Sequence, residues 1–464
     1  VGYLDSMNPW TNSEETLDQS TDVLETGGAG SAFAYANNKI SIGLYHTCAI
    51  VDNGDLKCWG WGNTGQIGYG VQQGDLSAPS STAIDLGTGR TAVAVSAGDY
   101  YTCAILDNGD LKCWGSDQHG QLGDDGTNTH IHAPPSTPID LGTGRTAVAL
   151  SAGYFHACAI LDNGDLKCWG SDASGGLGDG GSNSNTDAPS ATAIDLGTGR
   201  TAVAVSAGGA HTCAILDNGD LKCWGSDIEG HLGNGGSNTN TNAPSSTPID
   251  LGTGRTAVAV SAGNLHTCAI LDDASMKCWG SDQYGQLGDG GSTNTNTNSP
   301  SSTAIDLGTG RTAVAVSTGQ FHTCAILDND DLKCWGGDQY GQLGDGGSTN
   351  TNTNSPSSTP IDLGTGRTAV AVSAGYLHTC AILDNGDAKC WGDDYRGQLG
   401  DGGTTTGSQV SPIAVSGSDT WDTTRTVSSG SGSGSGSSQS NFTSSVEGAD
   451  LFLDEAMTNI TFQY

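Results

Sequence analysis

The sequence predicts an all-β fold: a seven-bladed β-propeller with four antiparallel strands and one internal disulfide per blade, extended at both termini. Three observations carry this. Fourteen cysteines fall in seven pairs, each ten residues apart, and successive pairs advance by 55, 55, 55, 55, 56 and 56 residues. Glycine is abundant, at 73 residues, and no apolar pattern of helical period is present. The apolar runs within each repeat are short and separated by turn residues, as strands are. A repeat of this length signals a solenoid, a propeller or an array.

The fourth copy displays the unit most clearly: TAVAVSAGGAHTCAILDNGDLKCWGSDIEGHLGNGGSNTNTNAPSSTPIDLG. Its first strand is TAVAVSAG, small and β-branched, suited to a crowded inner position. HTCAIL is the second strand and LKCWG the third, joined by Asp-Asn-Gly-Asp. A PIDLG or AIDLG segment is read as the fourth strand and leads through Thr-Gly-Arg into the next copy. The long polar stretch between the third and fourth strands is a surface loop. The chain divides into an N-terminal extension (1–38), the propeller (39–417), a Gly/Ser-rich linker (418–448) and a C-terminal strand segment (449–464).

Turn chemistry predicts the disulfides. A three-residue Asp-Asn-Gly loop, with glycine in the left-handed region, gives a type I turn and bulge. Counting outward from Leu106 opposite Asp110 sets Cys103 against Cys113, and directly opposed residues lie within bonding range. The same count pairs Cys48 with Cys58, Cys158 with Cys168 and Cys213 with Cys223. It also pairs Cys268 with Cys278, Cys324 with Cys334 and Cys380 with Cys390. A ten-residue loop gives roughly 2.5–3 kcal/mol per bridge in the chain-entropy model. Zinc-ligand and Cys-x-x-Cys spacings do not fit. In the fifth copy Ala274 stands where glycine should, so that hairpin is expected to change turn type or carry strain; Asp330 in the sixth tolerates the conformation better.

The block G-x-x-H-T-C-A-I-L-x-N-G-x-L-K-C-W-G, followed by G-Q-L-G, resembles the repeat of the regulator of chromosome condensation family, from about Lys39 to Gly417. The resemblance implies a seven-bladed propeller closed by a blade that mixes strands from both ends. That family includes a nucleotide exchange factor, a plant ultraviolet photoreceptor and a secreted β-lactamase inhibitor, so the fold does not settle function. The cysteine-bearing version is similar to secreted microbial members.

Fifty acidic against sixteen basic residues give a net charge of −34, which disfavours nucleic acid and anionic membranes as partners. No apolar run approaches a bilayer span. The chain starts at Val1 without a leader, so a removed signal peptide and an extracellular or cell-surface location are expected, in keeping with paired cysteines. No nucleophile elbow, phosphate loop or His-Glu-x-x-His stands out, and no catalytic residue is assigned.

The repeated histidines (His46, His156, His211, His266, His322 and His378, with Tyr101 in the second copy) read as one structural hydrogen bond per blade. The repeated tryptophans (Trp59, Trp114, Trp169, Trp224, Trp279, Trp335 and Trp391) read as interblade packing. Arginines of the connectors, from Arg90 to Arg367, are expected to pair with aspartates of neighbouring blades. Oxygen-rich loops such as Gly178-Asp179-Gly180-Gly181 admit calcium, but none has the calcium-loop signature. A solvated acidic face is therefore the default, no cofactor is assigned and any metal site is left open.

The tail carries the functional expectation. Beyond a Gly/Ser tether, Thr458–Tyr464 alternates, with Ile460, Phe462 and Tyr464 on one face and Leu451 and Leu453 before them. A tethered strand of this kind adds to a sheet edge, and passed head-to-tail it builds a homopolymer. The expected function is thus a secreted structural protein that assembles into extracellular filaments. The alternative is an extracellular module binding a glycan, protein or calcium through the propeller loops. Asn441 and Asn459 begin the glycosylation sequons, with Asn441 favoured because a glycan on Asn459 would obstruct that strand.

Overall fold

The computed structural model describes residues 35–36, 39–70, 74–126, 129–236, 238–291, 295–347, 351–403, 407–424 and 426–427. The expected assembly residues Leu451, Leu453, Ile460, Phe462 and Tyr464, and the sequons at Asn441 and Asn459, lie outside the described residues.

Each repeat folds into its own antiparallel sheet, with inner, middle and outer strands in chain order. In blade 2 these are Ala92–Ala97, Tyr101–Leu106 and Leu111–Gly115. Middle strands are buried on both faces, because a neighbouring blade covers each side of the sheet. This is why His-Thr-Cys-Ala-Ile-Leu shows no polar alternation. Inner strands carry a bulge between Ala92 and Ala94 that turns Val93 outward.

The hairpin register is as the turn chemistry requires. Leu106 N–H donates to the Asp110 carbonyl, Gly109 N–H donates to the Leu106 carbonyl, and Gly109 has φ +80°. Cys103 consequently opposes Cys113. All seven predicted disulfides are present, one per blade. The fifth hairpin keeps the same turn and forces Ala274 to φ +60°. Of the two expected outcomes, strain is the one realised.

The four-stranded blade is corrected. Among the described residues, six of the seven blade sheets have three strands and the seventh has a fourth, Gln409–Ala414. Elsewhere the segment read as a fourth strand touches the outer strand at two places. In blade 2 these are a bridge from Gly115 to Ile131 and a bond from Ile139 N–H to the Leu111 carbonyl. Between them runs His-Ala-Pro-Pro-Ser-Thr-Pro, whose three prolines have no N–H to give a ladder. In blade 7 the equivalent stretch, Gln409 to Val415, is two residues shorter than Ile131 to Ile139. It therefore stays in register with a bulge.

The core is divided into seven wedges, each formed where one blade meets the next. One wedge joins blade 7 to blade 1, with Ile40, Ile42 and Trp59 packed among Ile382, Leu399 and Trp421. Both chain ends contribute to the inner edge of blade 1. Ile40–Ile42 pairs with the middle strand, and Trp421 bridges Val51 in the position that Ala92 holds opposite Leu106 in blade 2. Lys39 pairs with Asp422 at 2.8 Å and Lys57 with Asp419 at 2.7 Å. The propeller's contacts thus extend past Gly417 to Asp422. Beyond it, Thr426–Val427 pairs antiparallel with Tyr35–Ala36.

Candidate interaction face and axial pocket

Neighbouring blades are joined by a repeated triplet of side-chain bonds. Thr102 Oγ1 and Trp114 Nε1 of blade 2 both donate to the Gln66 carbonyl of blade 1, at 2.9 and 3.0 Å. With its one hydrogen spent there, the Thr102 hydroxyl accepts from His46 Nε2 at 2.9 Å. The same set closes the ring: Thr47 and Trp59 donate to the Gln398 carbonyl, and His378 Nε2 donates to Thr47. Each histidine therefore carries its proton on Nε2, and the Nδ1 atoms of His46, His211, His266, His322 and His378 are buried without a partner. Burial holds these imidazoles neutral, pushing His46, His266, His322 and His378 down to about 3 and His156 to about 4. They are structural groups that hold blade to blade.

The connector arginines pair with the hairpin aspartate of the blade they enter, as Arg145 does with Asp162 at 3.1 Å. Both side chains of that pair are more than a third exposed, and its stabilisation is modest. The acidic loop residues accept from their own backbone, as Asp179 Oδ1 does from Gly181 N–H at 2.7 Å and Asp345 Oδ1 from Gly347 N–H at 2.7 Å. Among the described residues no group of three His, Cys, Asp or Glu side chains converges to hold a metal ion.

What the repeat conceals is the turn between the inner and middle strands. Each inner strand ends in Ser-Ala-Gly or a close variant, and a serine hydroxyl accepts the next blade's N–H, as Ser96 does from Ala152 at 2.9 Å. Glycine is required after it: a Cβ on Gly153 would lie 2.5 Å from the Gly208 carbonyl of the next blade. The two residues that follow differ in all seven blades. They are Leu44-Tyr45, Asp99-Tyr100, Tyr154-Phe155, Gly209-Ala210, Asn264-Leu265, Gln320-Phe321 and Tyr376-Leu377. Within the near-invariant inner and middle strands and their connections, the blades thus differ chiefly at this turn around the axis.

The first residue of the pair looks inward. Leu44, Asp99, Tyr154, Asn264, Gln320 and Tyr376 line an axial cavity of about 170 Å³, whose wall is the Ser-Ala-Gly segments of the inner strands. The Asp99 carboxyl is pushed up to about 8 by burial alone. The second residue in three blades (Tyr45, Tyr100 and Phe321) joins Trp61, Tyr284 and the cavity-lining Tyr376 in an aromatic strip. Tyr100 meets Trp61 at 5.2 Å between centroids, Trp61 meets Tyr45 at 6.4 Å, and Tyr45 meets Tyr376 at 6.5 Å. Phe321 follows at 6.2 Å and Tyr284 at 4.7 Å. All six rings are partly exposed. None of these residues was singled out by sequence reasoning. The signal that finds them is departure from the repeat, including Trp61 where four copies have serine and the others Gly337 and Asp393.

The propeller architecture and its repeat decide the family. A model described as the RCC1-like domain matches residues 86–435, and models of the regulator of chromosome condensation (RCC1) repeat match 38–66 and 53–105. The chain belongs to the RCC1-like domain family. An RCC1-like relative, the ultraviolet-B receptor UVR8 of Arabidopsis thaliana, is 29% identical over 367 residues, 78% of this chain and 78% of the receptor. The human E3 ubiquitin-protein ligase HERC2 is 29% identical over 401 residues, 83% of this chain but 8% of that ligase. The crystal structure of Prp20p from Saccharomyces cerevisiae, described with its binding properties to Gsp1p and histones, superposes with a TM-score of 0.68. It is 19% identical and covers 83% of this chain and 88% of Prp20p, which establishes the RCC1-like fold and no more.

Proposed function

We propose that this RCC1-like propeller is a binding module that grips a protein partner through the face carrying the inner-to-middle turns. The observation that supports it is the concentration of blade-to-blade differences there, with six partly exposed aromatic rings in a strip. Aromatic side chains bury much area at little entropic cost and dominate interface energetics. The binding of Gsp1p and histones by Prp20p is consistent with a family of protein binders. Seven disulfides support an extracellular or cell-surface setting. The test is panning of a displayed peptide library. Binders enriched on the native chain should lose affinity for Trp61→Ala/Tyr100→Ala/Phe321→Ala, none of which lines the axial cavity, at unchanged thermal stability. Binders that hold equally to both forms would move the site elsewhere.

A second reading is assembly into extracellular filaments by the C-terminal segment, supported by the alternation of Ile460, Phe462 and Tyr464 behind a Gly/Ser tether. Deleting 440–464 should abolish assembly and leave the propeller folded. Unchanged assembly would reject it.

A further inference from the structure

We propose that the axial pocket is a binding site for a primary alkylammonium group, with Asp99 and Gln320 as its acceptors. Asp99 and Gln320 are each 8% exposed and line the same cavity. Among the described residues no Lys or Arg pairs with the Asp99 carboxylate and no N–H or O–H donates to it. Gln320 Oε1 is buried without a hydrogen-bond partner. Two acceptors left open in one cavity form an unusual expense, because buried polar groups are normally satisfied. A cation supplies what both lack.

The surroundings select the kind of cation. A divalent ion needs several oxygen ligands, commonly carboxylates, and Asp99 is the one carboxylate in the lining. An ammonium has three N–H donors and no acceptor, which suits a lining that offers one carboxylate, Asp99, and the open amide oxygen of Gln320. Alongside the inner-strand serines the wall holds Ile42, Leu44, Ala97 and Ala152, which can pack an alkyl stem, and the aromatic Tyr154 and Tyr376, a residue type that attracts cations. The net charge of −34 draws cations toward the molecule. The shared chemistry is an amine on a flexible chain, whether a free diamine or a lysine side chain.

The experiment uses the full chain and n-butylammonium chloride, titrated by calorimetry at about pH 9, below the ordinary amine value of about 10.4. Asp99 is ionised there, its carboxyl having been raised to about 8. Saturable one-site binding is expected, weakened at least tenfold in Asp99→Asn and several-fold in Gln320→Leu, with n-butanol and sodium chloride at matched ionic strength inert. Thermal unfolding of each variant checks that the fold is intact. Equal heats for native chain and Asp99→Asn would reduce the effect to nonspecific attraction and overturn the site. Two further arms, cadaverine and a lysine-bearing peptide, separate the sources: binding of the diamine alone assigns a free amine, and tighter binding of the peptide assigns a partner's lysine. Neither binding overturns the proposal. The aromatic-strip variant should still bind n-butylammonium, so loss of peptide binders and loss of this site are read independently.

Discussion

The Tyr101 hydroxyl donates to the His156 carbonyl of the next blade, and the residue beside that carbonyl, Ala157, stands where six other blades have threonine. The two departures compensate. Blade 2 lacks the histidine that would donate across the boundary, and blade 3 lacks the hydroxyl that would accept. Both residues are fully buried in one wedge of the core. Reversion should therefore be cooperative. Tyr101→His alone leaves a buried N–H unmatched, and Ala157→Thr alone crowds the tyrosine ring; each should cost about 1–3 kcal/mol. The double variant should recover about 1–3 kcal/mol of the summed loss, read by urea denaturation as a double-mutant cycle. Additive losses would mean the two sites are uncoupled.

Gly123 and Gly144 have nearly the same backbone, φ +69° and +70°, and opposite surroundings. A Cβ on Gly123 would lie 2.5 Å from Trp169 Nε1, whereas one on Gly144 meets nothing within 4 Å. Gly144→Ala should cost about 1–2 kcal/mol from the left-handed conformation. Gly123→Ala should cost a further 1–3 kcal/mol or so, because the indole must leave the Gln121 carbonyl. Denaturation midpoints of the two variants measure the difference, and equal losses would remove the close approach as the reason for the last glycine of Gly-Gln-Leu-Gly.

Ala274, at φ +60°, is the strained hairpin. Ala274→Gly should raise stability by about 1 kcal/mol, since it relieves a left-handed alanine at some cost in unfolded-chain entropy. Asp330→Gly, at φ +62°, should gain less, because aspartate visits this region more readily. Thermal melts of both variants against the native chain decide the ranking.

Acid should loosen the ring through its histidines. Their folded values, near 3 for His378, lie below the unfolded value of about 6.5, so unfolding takes up protons between these limits. The stabilisation is complete above about pH 6.5 and is lost progressively as pH falls toward 3. Buried carboxyls such as Asp117, raised to about 6, act in the opposite sense, so one histidine is best isolated by difference. Relative to the native chain, His378→Gln should flatten the loss between pH 6 and 4 by about 1.4 kcal/mol per pH unit. Parallel profiles would mean His378 is protonated in the fold.

The hairpins were legible because three turn residues determine which side chains oppose, and Cys103 facing Cys113 follows by counting. The fourth strand was misread because Ile-Asp-Leu-Gly has strand composition. What decides its fate is two surplus residues and the prolines upstream, a matter of length and donors rather than hydrophobicity. The Arg145–Asp162 pair was anticipated, but not which of the two blades flanking the connector supplies the aspartate, since sequence distance gives no hint of which hairpin the connector passes. The candidate face was missed for a different reason. Repetition draws attention to His46 and Trp59, which hold blades together, and away from Asp99 and Gln320, which never recur.

Because Trp421 and Asp422 sit against Val51 and Ile50, the first blade of the ring to leave the ribosome is finished by a stretch that emerges after the seventh. Its neighbours can zip together as they are made, but one seam stays open until all seven blades have been made. A chain released early would present that raw edge to every other nascent copy. The half-built toroid is thus most open to mispairing at that one boundary.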